Sequence, residues 1–193
     1  MTRAFVLFAH PVRDSFSAAL HQAVVETLAA RDWEVDDCNL HAEDFQPILT
    51  EEERRNYHEE PGNIQPVIEY VNRLRRADAM ILVFPVWIYG FPAILKGFFD
   101  RVCVPGVAFR LENGRVAPNL QNIRKLAAVT TYGGTRLRAL GVFDPPRRIV
   151  TGAVRFYCQP DKMRYLALYD MNRIGPNRRE AFLARVKREM AAL

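Results

Sequence analysis

A chain of 193 residues, 49% hydrophobic and 25% charged, has the size of one domain, residues 1–193, with a core that needs neither disulfides nor metal. Its apolar runs fall short of a membrane span, and its net charge of +5 is spread over 27 basic residues offset by 22 acidic ones. The adjacent arginines 147–148 and 178–179 occur only as pairs, and no basic helix or aromatic RNA-binding signature is present, so the charge fits a general anion preference and sets nucleic-acid binding aside.

The opening MTRAFVLFAHP lacks the long apolar segment and small-residue cleavage site of a signal peptide, and residues 4–9 read as a first strand. Asp14 or Ser15 caps a helix whose Ala18, Leu20, Val24, Val25 and Leu28 form an apolar stripe to about residue 31. Val35 and Cys38 fit a short second strand. Residues 41–63 are polar and acid-rich, an excursion with a short helix that covers a site or a subunit boundary. A helix over 64–76 follows through Val67, Ile68, Val71 and Leu74. Residues 79–84 are apolar without alternation, the pattern of a strand covered on both faces of a parallel sheet, and Pro85 ends it. Pro92 suits the first turn of the next helix, where Ile94, Leu95, Phe98 and Phe99 recur at helical spacing.

Residues 105–120 are rich in turn formers, with Glu112, Asn113 and Gly114 at a hairpin tip. A fourth strand over 126–131 is broken by Gly133 and Gly134, and residues 135–140 read as a helix. Pro145 and Pro146 interrupt the element after that, and 153–158 alternates as a fifth strand. Asn177 with Glu180 resembles a capping box ahead of Phe182, Leu183, Val186 and Met190. Strands and helices in alternation predict an α/β protein: a doubly wound, five-stranded parallel sheet with helices on both faces. Cys38, Cys103 and Cys158, odd in number and widely spaced, read as reduced thiols of a cytoplasmic protein. His21, His41 and His58 lack metal-ligand spacing.

Open α/β sheets bind ligands outside the carboxyl ends of strands, and three loops there carry unusual sequences. In the first, His10 precedes Ser15, Phe16 and Ser17 at a helix N-terminus, which either holds a phosphate or is simply capped by its serines. The second runs Pro85, Val86, Trp87, Ile88, Tyr89, Gly90, Phe91. Phe91 continues into the helix and packs, whereas a surface connection with Trp87 and Tyr89 suggests a flat ligand to cover. The third, Thr130, Thr131, Tyr132, Gly133, Gly134, lets the backbone approach a ligand or forms a plain turn.

HPxxxSFS, FPVWIYGFPAILKGFFDR, PGVAF and TTYGG occur in that order at the right strand ends, and over roughly residues 3–135 the chain resembles the NAD(P)H:quinone oxidoreductase family of flavodoxin-like flavoproteins. The resemblance implies a flavin, FAD or alternatively FMN, held at its phosphates by His10, Ser15, Phe16 and Ser17. It places Pro85, Val86, Trp87 and Ile88 against the ring, and Thr131, Tyr132, Gly133 and Gly134 at its pyrimidine side. It further implies NAD(P)H as co-substrate, a quinone or another flat electron acceptor, and a homodimer whose second subunit completes the pocket. Trp87 and Tyr132 are the candidate catalytic residues of that pocket. Mammalian-type family members also place a tyrosine five residues and a histidine eleven residues after the second glycine; here those positions hold Ala139 and Pro145. Tyr132, Tyr89 or Arg136 are the candidates to replace that pair. A flavin, nitro or azo reductase, or a flavin-binding regulatory subunit of a membrane transporter, are the alternative functions.

Overall fold

The computed structural model describes all 193 residues and contains a five-stranded parallel sheet. Its strands are β1 (Arg3–Phe8), β2 (Glu34–Asn39), β3 (Ala79–Val86), β6 (Lys125–Tyr132) and β7 (Lys162–Leu168), in the order β2-β1-β3-β6-β7. A separate hairpin of β4 (Phe109–Glu112) and β5 (Arg115–Pro118) turns through Asn113 and Gly114, both with positive φ, at the tip expected from the sequence. On one face of the sheet lie α1 (Phe16–Ala29) and α8 (Pro176–Ala191), which bury Leu20, Val24, Phe182, Val186 and Met190 against Val6, Ile81 and Val129. The other face packs α3 (Ile68–Arg76) and α4 (Ala93–Val102) onto Phe5, Leu7, Met80, Leu82 and Phe84. Each fully buried Leu, Ile or Phe contributes about 1.5–3 kcal/mol, so β3, buried on both faces, is the centre of the fold.

The acid-rich excursion carries the short α2 (Glu51–Arg55), closed by a capping box in which Thr50 Oγ1 accepts from Glu53 N–H and the Glu53 carboxylate accepts from Thr50 N–H. Glu53 also pairs with Arg101 of α4 at 2.7 Å, both side chains nearly buried, so this segment is clamped to the domain. The helix expected over 64–76 is divided. Pro66 falls within a 3₁₀ segment, Gly62–Val67, and the α-helix begins only at Ile68.

Three other expectations are corrected. The strand that Pro85 was expected to end runs on to Val86, with Pro85 opposite Thr131 and Val86 opposite Tyr132. Alternate residues of a central parallel strand turn to opposite neighbours, and β1 stops at Phe8, opposite Val83, so the missing Pro85 N–H has no ladder partner to lose. Residues 153–158 are not a strand. They lie in a π turn, Ile149–Val154, and in α7 (Arg155–Cys158), after α6 (Pro145–Arg148), in which Pro145 is the first residue rather than an interruption. Val150, Val154 and Cys158 are buried four residues apart and Phe156 is exposed; 154 and 158 satisfy both a helical and an alternating period. The last helix begins at Pro176 after Gly175, without a side-chain cap, so Asn177 and Glu180 form no capping box. α5 (Arg136–Gly141) is capped by Thr135, whose side chain accepts from Arg138 N–H.

Candidate functional site

β1, β3 and β6 are adjacent in the sheet, and their carboxyl ends bring the three loops together. In the first, Ser15 is the N-cap of α1: its Oγ accepts from Ala18 N–H at 3.1 Å. The capping reading of Ser15 is therefore realised, while the N–H groups of Phe16 and Ser17, in the first turn, have no backbone acceptor. Val12 N–H donates to His10 Nδ1 at 3.0 Å, which leaves the proton of a neutral His10 on Nε2, free to donate outward. A polar hollow of about 290 Å³ adjoins this loop, with His10, Arg13 and Gln22 on one side and Asn39 and His41 on the other. Burial, and then the proximity of His10, lowers the pKa of His41. His21 stacks on Phe8 and bonds Asp37 at 2.7 Å.

The second loop is a two-residue turn. Trp87 and Gly90 exchange both backbone hydrogen bonds, and Ile88 and Tyr89 between them take positive φ of 47° and 52°. Such φ values are unfavourable for bulky and especially β-branched side chains, at about 1–3 kcal/mol each, so the conformation is imposed by its surroundings. Its effect is visible in what each side chain does. Ile88 is 99% exposed; Trp87, 45% exposed, stands edge-on to His10 with ring centroids 5.9 Å apart and so joins the first two loops. Tyr89 turns back to the third loop, where its hydroxyl lies 3.0 Å from the position a Cβ on Gly134 would occupy. Glycine at 134 is what makes room for that hydroxyl.

Together the second and third loops enclose a hollow of about 300 Å³, walled by Val86, Ile88 and Tyr89 on one side and by Tyr132, Gly133 and Gly134 on the other. The N–H groups of Ile88, Tyr89, Gly133 and Gly134 have no backbone acceptor. The carbonyls of Tyr132 and Gly134 accept instead from Met171 N–H at 3.0 Å and Asp170 N–H at 2.8 Å, which fixes the loop from behind. Unpartnered donors along two facing loops and a glycine cradle form a slot that could admit a flat, carbonyl-bearing ring, with Trp87 exposed beside it.

Tyr132 has a role that its position in the motif did not foretell. It is 1% exposed, and its hydroxyl donates to Asp144 Oδ1 at 2.6 Å while accepting from Tyr165 at 2.7 Å. Asp144, 3% exposed, also accepts from Arg147 at 3.2 Å and Tyr169 at 3.3 Å. Burial, then the neighbouring Tyr165 and Asp144, push the Tyr132 hydroxyl far above the usual phenol range, and burial raises Tyr165 as well. A phenol engaged in this way anchors the loop; it is not available to exchange protons with a ligand. Thr131 is buried beside it, and the Oγ1 of Thr130 is buried without a partner. Ala139 is buried in the fold and Pro145 opens α6, so neither position reaches the hollow with a polar group.

Two residues of the hollow were not singled out in the sequence. Arg138 flanks Gly134, and Asn172 brings its amide to within 3.3 Å of a Cβ position on Gly133. Arg136, a sequence candidate, does not line it. No group of three or more His, Cys, Asp or Glu side chains is placed to hold a metal, and no helix is long and apolar enough to cross a membrane.

A family model described as having the flavodoxin-like fold matches residues 2–193, and the chain belongs to that family. Within it, the chain belongs with the NAD(P)H:quinone oxidoreductases. It is 30% identical to NAD(P)H dehydrogenase [quinone] 1 of Rattus norvegicus over 97% of its length and 76% of the relative's. The NAD(P)H:quinone oxidoreductase of Methanothermobacter marburgensis superposes with a TM-score of 0.85 at 26% identity, covering 98% of both chains. An FMN-dependent NADH-azoreductase of Bacillus anthracis, solved in complex with FMN, matches with a TM-score of 0.81 over 100% of this chain and 99% of its own; at 15% identity this likeness concerns the fold alone.

Proposed function

We propose that the protein is a flavin-dependent NAD(P)H:quinone oxidoreductase. The observation that carries the reading is the slot itself: facing loops at adjacent strand ends, with the N–H groups of Ile88, Tyr89, Gly133 and Gly134 free to bond the carbonyls and nitrogens of a flavin ring. The first turn of α1 offers the N–H groups of Phe16 and Ser17, and His10 its Nε2 proton, to the flavin's phosphate. The polar hollow beside Arg13 and His41 leaves room for a second phosphate and an adenosine, which supports FAD over FMN. When bound, the flavin supplies two-electron transfer from NAD(P)H to a quinone.

The chain's own residues orient and shield. Val86 and Ile88 present apolar side chains to the ring, Trp87 stands at the junction with the His10 loop, and the anchored Tyr132 backbone keeps the glycine loop in place before any ligand arrives, which is preorganisation in the sense that matters for affinity. Trp87 and Ile88 are exposed at the rim, and an apolar groove of about 560 Å³ runs between Phe91 and Phe99 of one segment and Phe109 and Tyr157 of another. A second subunit seated there would shelter the acceptor, so the working unit is a homodimer.

Purified protein mixed with FAD or FMN should bind one of them tightly, and the complex should oxidise NADH or NADPH on addition of a benzoquinone. Protein that takes up neither flavin would overturn the reading. Trp87→Ala should raise the flavin or quinone dissociation constant by about two- to tenfold, the share of an aromatic contact worth about 0.5–1.5 kcal/mol beyond its burial.

A further inference from the structure

The tyrosine and histidine expected beside the flavin in relatives of this kind are replaced here by a buried alanine and a helix-opening proline. Some other group must meet the polar edge of the ring at Gly133 and Gly134, and the hollow offers two that nothing else in the protein uses. The hydroxyls of Tyr132, Tyr165 and Tyr169 all bond to one another or to Asp144, whereas that of Tyr89 has no protein partner and lies beside Gly134. Arg138 reaches the same glycine, its Cδ 4.0 Å from the Cβ position there. None of the ion pairs in the protein includes it. An arginine without a carboxylate, next to a phenol without an acceptor, in a hollow lined by free N–H groups, is a site arranged for negative charge and carbonyl oxygen.

We propose that Tyr89 and Arg138 bind the pyrimidine edge of the flavin in this protein, Tyr89 by donating its O–H to a ring carbonyl and Arg138 by supplying the positive charge. The inference rests on the flavin reading of the slot. Hydride from the nicotinamide brings two electrons and one proton, so the reduced ring carries one negative charge, and that charge is what Arg138 faces. Arg138 thus favours the reduced over the oxidised flavin, whereas the Tyr89 hydrogen bond holds both. The strained turn has a purpose in this arrangement: positive φ at Ile88 and Tyr89 aims the phenol back over Gly134 instead of out to solvent.

The test uses the full chain in four variants, Tyr89→Phe, Arg138→Gln, Arg138→Lys and Arg136→Gln, with two readouts: the dissociation constant of oxidised flavin by fluorescence titration, and the midpoint potential of the bound flavin by equilibration with reference dyes. Arg138→Gln should weaken reduced relative to oxidised flavin by about three- to tenfold, a fall of ~14–30 mV for a two-electron couple. Arg138→Lys should recover most of that potential, and Arg136→Gln, outside the hollow, none of the loss should appear. Tyr89→Phe should raise the dissociation constant about three- to tenfold, as loss of one hydrogen bond requires. Wild-type protein that binds flavin while Tyr89→Phe and Arg138→Gln leave both readouts unchanged would overturn this assignment and spare the flavin reading. An equal fall in Arg136→Gln would reduce the effect to general surface charge and overturn it too. Failure of the wild type to bind flavin would remove both.

Discussion

Replacing Tyr132 by phenylalanine deletes one oxygen atom and should nonetheless be among the more damaging conservative changes in the chain. Asp144 is buried with three donors around it, and Tyr132, at 2.6 Å, is the nearest. A hydrogen bond to a charged acceptor contributes about 1.5–3 kcal/mol, and at a buried carboxylate little solvent is present to replace it. Tyr165 loses the acceptor for its own hydroxyl in the same step. For a chain of this length each kcal/mol lowers Tm by roughly 2–4 °C, so a fall of about 3–12 °C is expected. Thermal unfolding would measure that fall, and urea unfolding of the wild type, Tyr132→Phe, Asp144→Asn and the double variant the free energies behind it. Asparagine is chosen because Asp144 has a φ of 45°, which asparagine tolerates, so the variant removes charge without adding strain. The two changes share one hydrogen bond and should couple by about 0.5–3 kcal/mol. A Tyr132→Phe stability within about 0.3 kcal/mol of wild type, or strictly additive single variants, would refute the view that this phenol anchors the glycine loop through Asp144.

Gly97 of α4 lies against the excursion, and a Cβ there would meet the backbone of Pro47, including its Cα at 2.5 Å. Overpacking of about 1–3 kcal/mol outweighs the ~1 kcal/mol gained in helix propensity, so Gly97→Ala should lower the urea midpoint, and a raised midpoint would show that the excursion yields. Because the His41 pKa is lowered by folding, the unfolded chain binds more protons just below the ordinary histidine range, and stability should fall as pH drops through that range. Unfolding free energies of His41→Gln should depend less on pH there than those of wild type; parallel profiles would remove His41 as the cause. Burial raises the thiols of Cys38 and Cys103 and pushes Cys158 up to about 12, so native protein at pH 8 should resist iodoacetamide until denatured. Mass spectrometry showing rapid alkylation of Cys38 or Cys158 in the native state would contradict their placement in the core.

What was legible in the sequence was whatever one local pattern could signal. The three loops at the edge of the sheet announced themselves because apolar runs stop there at Pro85, at Gly133 and before Ser15, each a breaker or cap with its own mechanism. The fifth strand was missed because Val154 and Cys158 fit two periods at once, and its displacement hid Asn172, which follows the true strand. Tyr132 was recognised as a member of its loop but not for its task. Its partner is an aspartate twelve residues away beyond a helix, and a buried carboxylate reached through tertiary packing leaves no periodic trace. Arg138 was equally silent: a single arginine on a short helix reads as a solvated face until Gly134 is seen beside it.

The departures from local rules are concentrated, and their location argues for the site independently of any motif. Aspartate and asparagine accept positive φ readily, and several do so here in ordinary turns. The bulky apolar and aromatic residues that adopt it are Ile88, Tyr89 and Phe143. Ile88 and Tyr89 form one wall of the hollow, and Phe143 immediately precedes Asp144, whose carboxylate holds the opposite wall through Tyr132. Strain of this kind persists only where packing over-determines it. On one side the double hydrogen bond between Trp87 and Gly90 enforces it; on the other, Asp144 N–H bonding to the Ala139 carbonyl at 2.8 Å does so. Both walls are therefore set before a ligand binds, and the N–H groups between them stay unpaired because the backbone is not free to relax and pair them.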